Sequence, residues 1–513
     1  MSLYSPPKVD VNVVPNPRII NIAGEARLPA IVGVGPTVRY IVDEAVQRGV
    51  GGIDALAAYP SINVVITKVA KRTGLNYVSG SSSNDPDAIQ GLNGSLYLVS
   101  GSLPQGGTQP VAGYFGSNGS YTNGLISWNQ EVDAVSTGSV PATGSVYYVT
   151  YNFDVSATQF LPMTFSDKQA LVDVFGEENN TSGSLTIAAS IALENGAPAV
   201  IVCQVSGSST SPSVAGYRDA IDKLRKKSAI EEVIAIFPSG GLPSPTFRSD
   251  VLTYLFQHTQ LMNLHGRWRG MYYGVSSPNY NPTESFDVIG DSSTSNSYIG
   301  KATAFSSFDV VLPAPSIIWR FDANNIRMEL DAAYAACAVA GVHAAQPLRS
   351  TPITGFPVTG INIEEEKWDM FQMNQLGQGG VLVLQNIAGL ITIRDAITTD
   401  GTSADTQEIN VVSQRRLVER TLSNKLFETF TNKGKTINPQ TVRDVEATTR
   451  SILNSLRQAG ELFGYGIKDD PNTGETKITA IQDVNEPRRI NVTCSIKYLY
   501  PLKFISVTVS TFV

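Results

Sequence analysis

The sequence predicts a multidomain protein of mixed α+β and α/β class, and three observations support this prediction. The chain has 513 residues, which at roughly 150 residues per domain is too many for one ordinary core. Its first third consists of β-branched and aromatic runs separated by Gly/Ser/Asn-rich turns, which are typical of strands. Its middle alternates strand-like and helix-like segments, which favours a mostly parallel sheet, and its last third mixes strands with two long helices.

Residues 1–20 are predicted to form an extended N-terminal arm. Val9, Val11 and Val13 alternate with polar residues, as in a strand, and the prolines of segment 15–17 then end the strand. Because no hairpin follows, the arm has no local partner. An unpaired strand presents free N–H and C=O groups to other chains, so these valines are predicted to link subunits.

Residues 21–165 are predicted to form a β-rich domain, in which "INVVITKVA" and "SVYYVTYNF" are strands. Within it, residues 80–145 are rich in Gly, Ser and Asn but also carry aromatic side chains. That composition indicates a variable outer insertion with long loops and some β structure.

Residues 166–345 are predicted to form an α/β domain with a mostly parallel sheet. "PAVIVCQV" and "EEVIAIFPSG" are strands between helices such as "SVAGYRDAIDKLRKKSA". "RMELDAAYAACAVAGVHA", residues 327–344, is predicted to contribute the last helix. The Pro/Gly-rich segment that follows marks a domain boundary.

Residues 346–513 are predicted to form a C-terminal core domain. "GGVLVLQNIAGLITIRDAITT" indicates a hairpin, and a helix is predicted from Ser413, with an apolar stripe of Val418, Leu422, Leu426 and Phe430. A second helix begins with the N-cap and first-turn pair Asn438 and Pro439. Residues 502–513 alternate again and are predicted to form an extended C-terminal arm that links subunits through Ile505, Val507 and Val509.

Composition and charge argue against several kinds of partner. Only 16% of residues are charged, and the net charge is -7 with a pI of about 5.2, so nucleic acid is disfavoured as a partner of the whole chain. The three cysteines have apolar neighbours and are expected to be buried free thiols. We expect no signal peptide and no membrane insertion, because the N-terminus lacks an apolar core and no apolar run is long enough to span a bilayer.

No motif in the sequence carries recognisable catalysis. "NKGKT" lacks the first glycine of a phosphate-binding loop, and "VGVGP" lacks the third glycine of a dinucleotide fingerprint. His258 and His265 have no cysteine or carboxylate at metal-ligand spacing. We therefore assign no catalytic, cofactor-binding or metal-binding residue and expect no cofactor and no enzymatic activity.

The arginines of the last third raise the question of an anion site. Arg394 is predicted to lie in a strand and to form an ion pair, since a lone buried charge is costly. Residues 412–460 carry nine Lys or Arg against four Asp or Glu. This excess predicts a positively charged face that is either solvated or meets nucleic acid or an acidic protein. Arg443, Arg450 and Arg457, seven residues apart, are predicted to line one side of the second helix.

The C-terminal unit resembles the tail sheath proteins of contractile phage tails and related contractile injection systems. "GLITIRDAITTD", "INVVSQRRLVERTL", "LRQAGELFGYGIKDD" and the closing strands occur in the order found in the C-terminal domain of that family. "YYVTYNF", "ENGAPAVIV", "IAIFPSG" and "AACAVAGVHA" add weaker matches upstream. Residues 80–145 match nothing in the family, whose outer domains vary.

The resemblance implies a structural subunit. Family members assemble with themselves as stacked rings of helical symmetry around an inner tail tube protein, and they contract once, without nucleotide, to drive the tube through a target envelope. The implied partners are further copies of the chain, the tube, and baseplate and tail terminator proteins. The implied location is a virion tail assembled in the cytoplasm of a bacterial host. The three basic residues of the second helix are then candidates to face the tube.

Two alternatives remain open at this stage. The chain could be a different structural virion protein, such as a baseplate component. It could also be an α/β enzyme with a β-rich accessory domain, although it has no catalytic constellation and carries unpaired terminal strands.

Overall fold

The structure is a computed structural model of the 513-residue chain. It describes residues 27–35, 38–47, 49–50, 53–56, 65–70, 119–122, 125–128, 143–154, 160–176, 178, 184–206, 212–237, 246–275, 297–314, 318–321, 325–363, 368–402, 404–465 and 478–501. The predicted arms, with Val9, Val11, Val13, Ile505, Val507 and Val509, lie outside these ranges.

The strands in the described residues are short and belong to several sheets. They are β1 (Leu28–Gly33), β2 (Val38–Gln47), β3 (Ile53–Ala55), β4 (Val65–Ala70), β5 (Gly119–Thr122), β6 (Leu125–Trp128), β7 (Val146–Asp154), β8 (Met163–Phe165), β9 (Val200–Gln204), β10 (Ile230–Ala235), β11 (Gly270–Tyr272), β12 (Val310–Val311), β13 (Pro313–Ala314), β14 (Ile318–Phe321), β15 (Arg327–Leu330), β16 (Asn362–Ile363), β17 (Leu382–Ile387), β18 (Leu390–Ile393), β19 (Gly464–Tyr465), β20 (Thr479–Gln482), β21 (Ile490–Thr493) and β22 (Ile496–Lys497).

The helices lie in the middle and last thirds of the chain. They are α1 (Lys168–Phe175), α2 (Ser184–Glu194), α3 (Val214–Lys223), α4 (Phe247–Leu264), α5 (Tyr298–Ala304), α6 (Ala333–Ala345), α7 (Met370–Gln378), α8 (Ala404–Gln407), α9 (Ile409–Leu426) and α10 (Pro439–Gln458). A π-helical turn, Phe427–Thr431, extends α9 at its C-terminal end. The fold is therefore mixed α and β, as predicted.

A six-stranded sheet in the order β12-β11-β10-β1-β9-β8 is the centre of the fold. Its first five strands are parallel, and β8 pairs with β9 in the antiparallel sense. α2 and α6 belong to the apolar cluster on one face, and α3 and α4 belong to the cluster on the other face. Because both faces are covered, the strands are apolar throughout, and all six residues of β1 are buried.

The strand β1 lies between β9 and β10 in this central sheet. The predicted boundary at residues 165 and 166 assigns it to the β-rich domain instead. Its apolar sequence, LPAIVG, fits either kind of sheet, and only the long-range pairing distinguishes them. The central sheet thus takes its middle strand from the beginning of the described chain.

The β-rich part consists of two three-stranded sheets, β2-β7-β4 and β3-β6-β5. The Tyr147 hydroxyl of β7 donates to Asp54 Oδ2 of β3 at 2.8 Å, so that a buried hydrogen bond joins the two sheets. The strands β5 and β6 fall within residues 80–145 and pair with each other. The predicted insertion therefore contains β structure in its described residues.

The C-terminal part is joined to the central sheet by strand pairing and by a shared core. The predicted hairpin is confirmed as β17 and β18, and β17 also pairs in parallel with β13. The helices α9 and α10 pack together with Val418, Leu422, Ile452 and Leu456 buried between them and the last strands. The predicted boundary near residue 345 therefore does not separate two cores, since one apolar cluster contains residues from both sides of it.

Two predicted helices begin elsewhere. Residues 327–330 form β15, in which Met328 and Leu330 are buried while Arg327 and Glu329 are exposed. The pattern has a period of two, but all four residue types also favour helices, and antiparallel pairing with β14 decides the outcome. The helix expected from Ser413 begins at Ile409, because the preceding apolar residues are part of its buried first turn.

Candidate functional site

The strand β10 carries two neighbouring buried carboxylates in the middle of the protein. Glu231 and Glu232 are both fully buried. The register with β1 passes from Leu28 opposite Ile230 to Pro29 opposite Glu232, so Glu231 is the extra residue of a β-bulge. A bulge redirects a side chain out of the regular alternation. Two ionised groups at this depth require partners, since an unpaired buried charge is strongly destabilising.

Glu231 is paired with groups from the C-terminal part of the chain. Arg349 Nη2 lies 2.8 Å from Glu231 Oε2, and the Ser413 hydroxyl of α9 donates to Glu231 Oε1 at 2.9 Å. Burial alone would raise the pKa of Glu231, but the guanidinium groups of Arg349, Arg27 and Arg420 outweigh it and hold this pKa well below its usual range. Glu231 is therefore ionised, and it ties the sheet to α9.

Glu232 is paired with the last helix of the α/β part. His343 Nδ1 lies 2.7 Å from Glu232 Oε1 and 3.2 Å from the Tyr272 hydroxyl. Arg27 Nη1 donates to the His343 carbonyl oxygen at 3.2 Å. These contacts connect β10, β11 and α6 with the residue that precedes β1.

A second buried ion pair joins α9 to the other end of the sheet. Arg416 donates to Asp309 Oδ1 from Nε at 3.1 Å and from Nη2 at 2.9 Å. The guanidinium lies directly over Gly270, where a Cβ would be only 2.7 Å from Nη2. Burial would lower the pKa of Arg416, but the neighbouring Asp309 carboxylate raises it. Arg420 extends the same row and donates to the Trp268 carbonyl oxygen at 3.3 Å.

The arginines of α9 therefore lie inside the protein. Arg416 and Arg420 are buried, and Arg415 is half-buried, paired with Glu419 at 2.9 Å and placed over the Phe308 ring. The predicted basic face across residues 412–460 is thus wrong for its first helix. Its charges are satisfied by carboxylates of the same chain, which a count of charges along the sequence cannot reveal.

The three basic candidates on α10 are placed as predicted. Arg443, Arg450 and Arg457 are exposed along α10, and Arg450 forms an exposed pair with Glu446 at 3.2 Å. The opposite side of the helix is buried and consists of Thr441, Val445, Thr449, Ile452, Leu453 and Leu456. The exposed face presents these cations to solvent.

The hairpin of β20 and β21 packs one face against the same helices. Ala480, Ile490 and Val492 pack on Leu426, Phe430 and Val445. On the outer face Ile481 is 63% exposed, and Val484 in the connecting turn is 92% exposed. Within the described part of the chain, these two strands pair only with each other. Both edges of the hairpin therefore offer backbone groups to a further strand.

The groups that sequence reasoning tested for chemistry occupy structural positions. Burial raises the pKa of Cys203 to about 12 and that of Cys494 to about 11, so these thiols are protonated at neutral pH. His258 Nε2 lies 2.9 Å from Arg269 Nη1 in the interior. In the ranges that the structure describes, no cluster of three or more His, Cys, Asp or Glu side chains could hold a metal ion, and no helix is long and apolar enough to cross a membrane.

Sequence reasoning missed the partners of the buried arginines. Asp309 and Gly270 lie far from Arg416 in the sequence, and nothing local marks them as its neighbours. One signal was available: "EEVIAIF" places two acids at the start of an otherwise apolar strand, and such a pair requires buried cations.

The pairing of Arg349 with Glu231 predicts a large effect of a single substitution. Arg349→Met leaves the Glu231 carboxylate buried without its nearest cation, and we expect the free energy of unfolding to fall by about 3–5 kcal/mol. Urea unfolding of the dissociated subunit measures this change. Lys425→Met is the control, because it breaks an exposed pair with Glu428 and should cost about 0–1 kcal/mol. Equal losses in the two variants would contradict the assignment.

The environment of His258 predicts a pH dependence. Burial, with Arg269 nearby, lowers the pKa of His258 to about 3 from 6.5. Between these values the unfolded chain binds a proton that the folded protein does not, so the free energy of unfolding should fall as pH decreases, by at most about 1.4 kcal/mol per pH unit.

Urea unfolding at pH 7, 6 and 5 measures this slope. His258→Gln retains an acceptor for Arg269 but does not titrate, so its slope should be flatter than that of the unsubstituted chain. His265→Gln is the matched control, because His265 is exposed at the end of the same helix. Parallel curves for His258→Gln and the unsubstituted chain would contradict the prediction.

Comparison with known proteins gives relatives in sequence and in fold. The chain is 25% identical over 360 residues to a protein named "Tail sheath protein" from Mycobacterium phage Bxz1, and the match covers 67% of this chain and 55% of that relative. The chain thus spans little more than half the length of the relative. No family model matches the sequence.

Two solved structures are similar to the fold. The helical sheath of the anti-feeding prophage in its contracted state gives a TM-score of 0.50 at 12% identity, covering 68% of this chain and 88% of that one. A sheath tail protein from Desulfitobacterium hafniense gives a TM-score of 0.43 at 12% identity, covering 95% of this chain and all of that one. The resemblance predicted from the C-terminal motifs is confirmed: in sequence the chain is similar to a phage tail sheath protein, and in fold it is similar to the sheath subunit of a contractile injection system.

Proposed function

We propose that this chain is the structural subunit of a contractile tail sheath. It polymerises with itself around an inner tube and contracts to drive the tube through a target cell envelope. The observation that carries the proposal is the sequence similarity to a phage tail sheath protein over 67% of this chain. The fold similarity to a contracted sheath supports it, as does an interior whose charged groups serve packing and not catalysis.

The proposed partners follow from the same role. Further copies of the chain form the sheath, the inner tube protein lies inside it, and baseplate and terminator proteins close its ends. The particle is a virion tail, assembled in the cytoplasm of a bacterial host. Contraction uses free energy stored in the assembled lattice and needs no nucleotide and no cofactor.

We propose that the terminal arms link the subunits. Val9, Val11 and Val13 in one arm, and Ile505, Val507 and Val509 in the other, give each arm an alternating apolar side. The hairpin of β20 and β21 is the proposed acceptor, since its edges are open within the described residues and its inner face is already packed. Strand addition would satisfy the backbone groups of both chains and set the register.

Electron microscopy of the negatively stained protein tests the function and the arms together. The full chain should form tubes or stacked rings, whereas compact particles would favour the alternatives of an enzyme or a baseplate component. Deletion of residues 1–14 or of 503–513 should abolish polymerisation and leave a soluble monomer with a cooperative melt.

A finer variant separates the apolar side of the arm from its length. Replacing Val9, Val11 and Val13 with Ser should impair assembly, because it removes the side chains expected to enter the acceptor sheet. Replacing Asp10 and Asn12 with Ser is the matched control and should leave tubes intact. Normal tubes from either deletion would contradict the role of the arms, and loss of folding would show that the strand pairs within its own chain.

We also propose that the exposed face of α10 meets an acidic inner tube through Arg443, Arg450 and Arg457. Reversal of each charge to Glu should weaken binding of isolated tubes, because exposed ion pairs contribute roughly 0.2–1 kcal/mol each. The effect should be larger at low salt, where screening is weaker. Co-sedimentation with tubes at several salt concentrations measures it.

The reversal Lys226→Glu is the control, since Lys226 is exposed on the α/β part and carries the same charge. It should change tube binding much less than any of the three reversals on α10. Equal binding by all variants at every salt concentration would assign the α10 face to another contact.

A further inference from the structure

The hairpin of β17 and β18 has an apolar face that is only partly covered. Val381 and Val383 pack against Met373 and Leu376 of α7. Side chains two residues apart in a strand lie on the same face, so Ile387 continues the face of Val383. Leu390 lies directly opposite Ile387 in the adjacent strand and belongs to the same face.

The helix α7 leaves the outer half of this face uncovered. The chain reverses at Gly379 and Gly380, so α7 runs antiparallel to β17 and its N-terminal end lies towards the hairpin turn. At that end Met370 and Phe371 are 71% and 69% exposed, and on the hairpin Ile387 and Leu390 are 54% and 51% exposed. We call these four residues the apolar patch.

The turn holds the outer edge of the patch in a fixed position. Ala388 and Gly389 both have positive φ, 52° and 86°, as in the two-residue turns that match the twist of a hairpin. Asn386 Oδ1 accepts from Gly389 N at 2.9 Å and supports the turn. A non-glycine residue at positive φ is uncommon, so the sequence keeps a strained conformation where it presents Ile387 and Leu390.

Arg394 supplies an unused polar group on the same face. It follows β18 at a position that alternation places on the side of Leu390, and its Nη2 donates to Asn374 Oδ1 of α7 at 2.6 Å. The partner in this predicted ion pair is therefore a neutral amide. Arg394 Nη1 is buried and has no acceptor among the residues that the structure describes.

We propose that the apolar patch is a contact surface for a second copy of this chain, which covers the four side chains and brings a carbonyl or carboxylate oxygen to Arg394 Nη1. The size of the patch favours this occupant. Four side chains fall within the roughly 300–600 Å² of the largest exposed patch on a typical monomer. A specific interface of a separate partner buries about 800 Å² on each side, so this patch is too small to hold one alone.

A small contact is sufficient where many copies repeat it. In a polymer each subunit is already held by other contacts, so the second binding event is effectively intramolecular and gains from a high local concentration. The inference in this form rests on the proposed sheath function and names one of its lateral contacts. A patch of this size is also easy to separate when subunits change neighbours.

The experiment compares single substitutions in the patch with a matched exposed residue elsewhere. Phe371→Asn, Ile387→Thr and Arg394→Gln test the patch. Leu264→Gln is the control, since Leu264 is 79% exposed at the end of α4. The full-length proteins are titrated, and the critical concentration for polymers is measured by sedimentation and electron microscopy. Phe371→Asn should raise it roughly tenfold, the change expected for a loss of 1.4 kcal/mol, while the control should not change it.

The outcomes separate this inference from the proposed function. Tubes with the same critical concentration for every variant would overturn the inference and leave the sheath proposal in place. Smaller oligomers without tubes, dissociated by Phe371→Asn but not by Leu264→Gln, would support the inference and overturn the sheath proposal. No self-association of the full chain would overturn both. Thermal melts of the monomers should be unchanged, because these side chains are exposed; a lower melting temperature for Phe371→Asn or Ile387→Thr would assign them to the fold instead.

Discussion

Two neighbouring carboxylates on the central strand, Glu231 and Glu232, can stay ionised only because distant parts of the chain bring cations to them. Arg349 and His343 supply the opposite charges, and Ser413 of α9 donates a hydrogen bond. An uncompensated buried charge costs several kcal/mol. The helix α9 therefore cannot leave the sheet without a large loss of stability, and the α/β and C-terminal parts are held in one arrangement.

This constraint divides the basic residues of the last third into two groups. The arginines of α9 point inwards, where Arg416 meets Asp309 and leaves no room for a side chain at Gly270. Those of α10 point outwards, because the opposite face of that helix carries its apolar stripe. One run of positive charge along the sequence thus serves two purposes, internal pairing and an exposed surface, and α10 alone remains available to an acidic partner.

Sequence reasoning recovered the elements whose patterns are local. The hairpin of β17 and β18, the N-cap of α10 at Asn438, and the exposed row of Arg443, Arg450 and Arg457 all follow from spacing and residue type. It failed where tertiary pairing decides. The strand β1 fits either sheet, β15 consists of helix-favouring residues, and the first turn of α9 is buried on all sides and so shows no helical period. The partner of Arg416 is more than 100 residues away and has no local signature.

The strengths of the internal and external contacts differ in a way that suits a subunit which changes its neighbours. Breaking one buried pair costs about 3–5 kcal/mol, whereas an exposed pair such as Arg450 with Glu446 contributes roughly 0–1 kcal/mol. The open hairpin edge, the basic face of α10 and the apolar patch all lie outside the locked interior. Each of these surfaces forms a contact weak enough to break singly. A lattice built from them could therefore rearrange between subunits while every subunit stays folded, because the interior always costs more to open than any one outer contact.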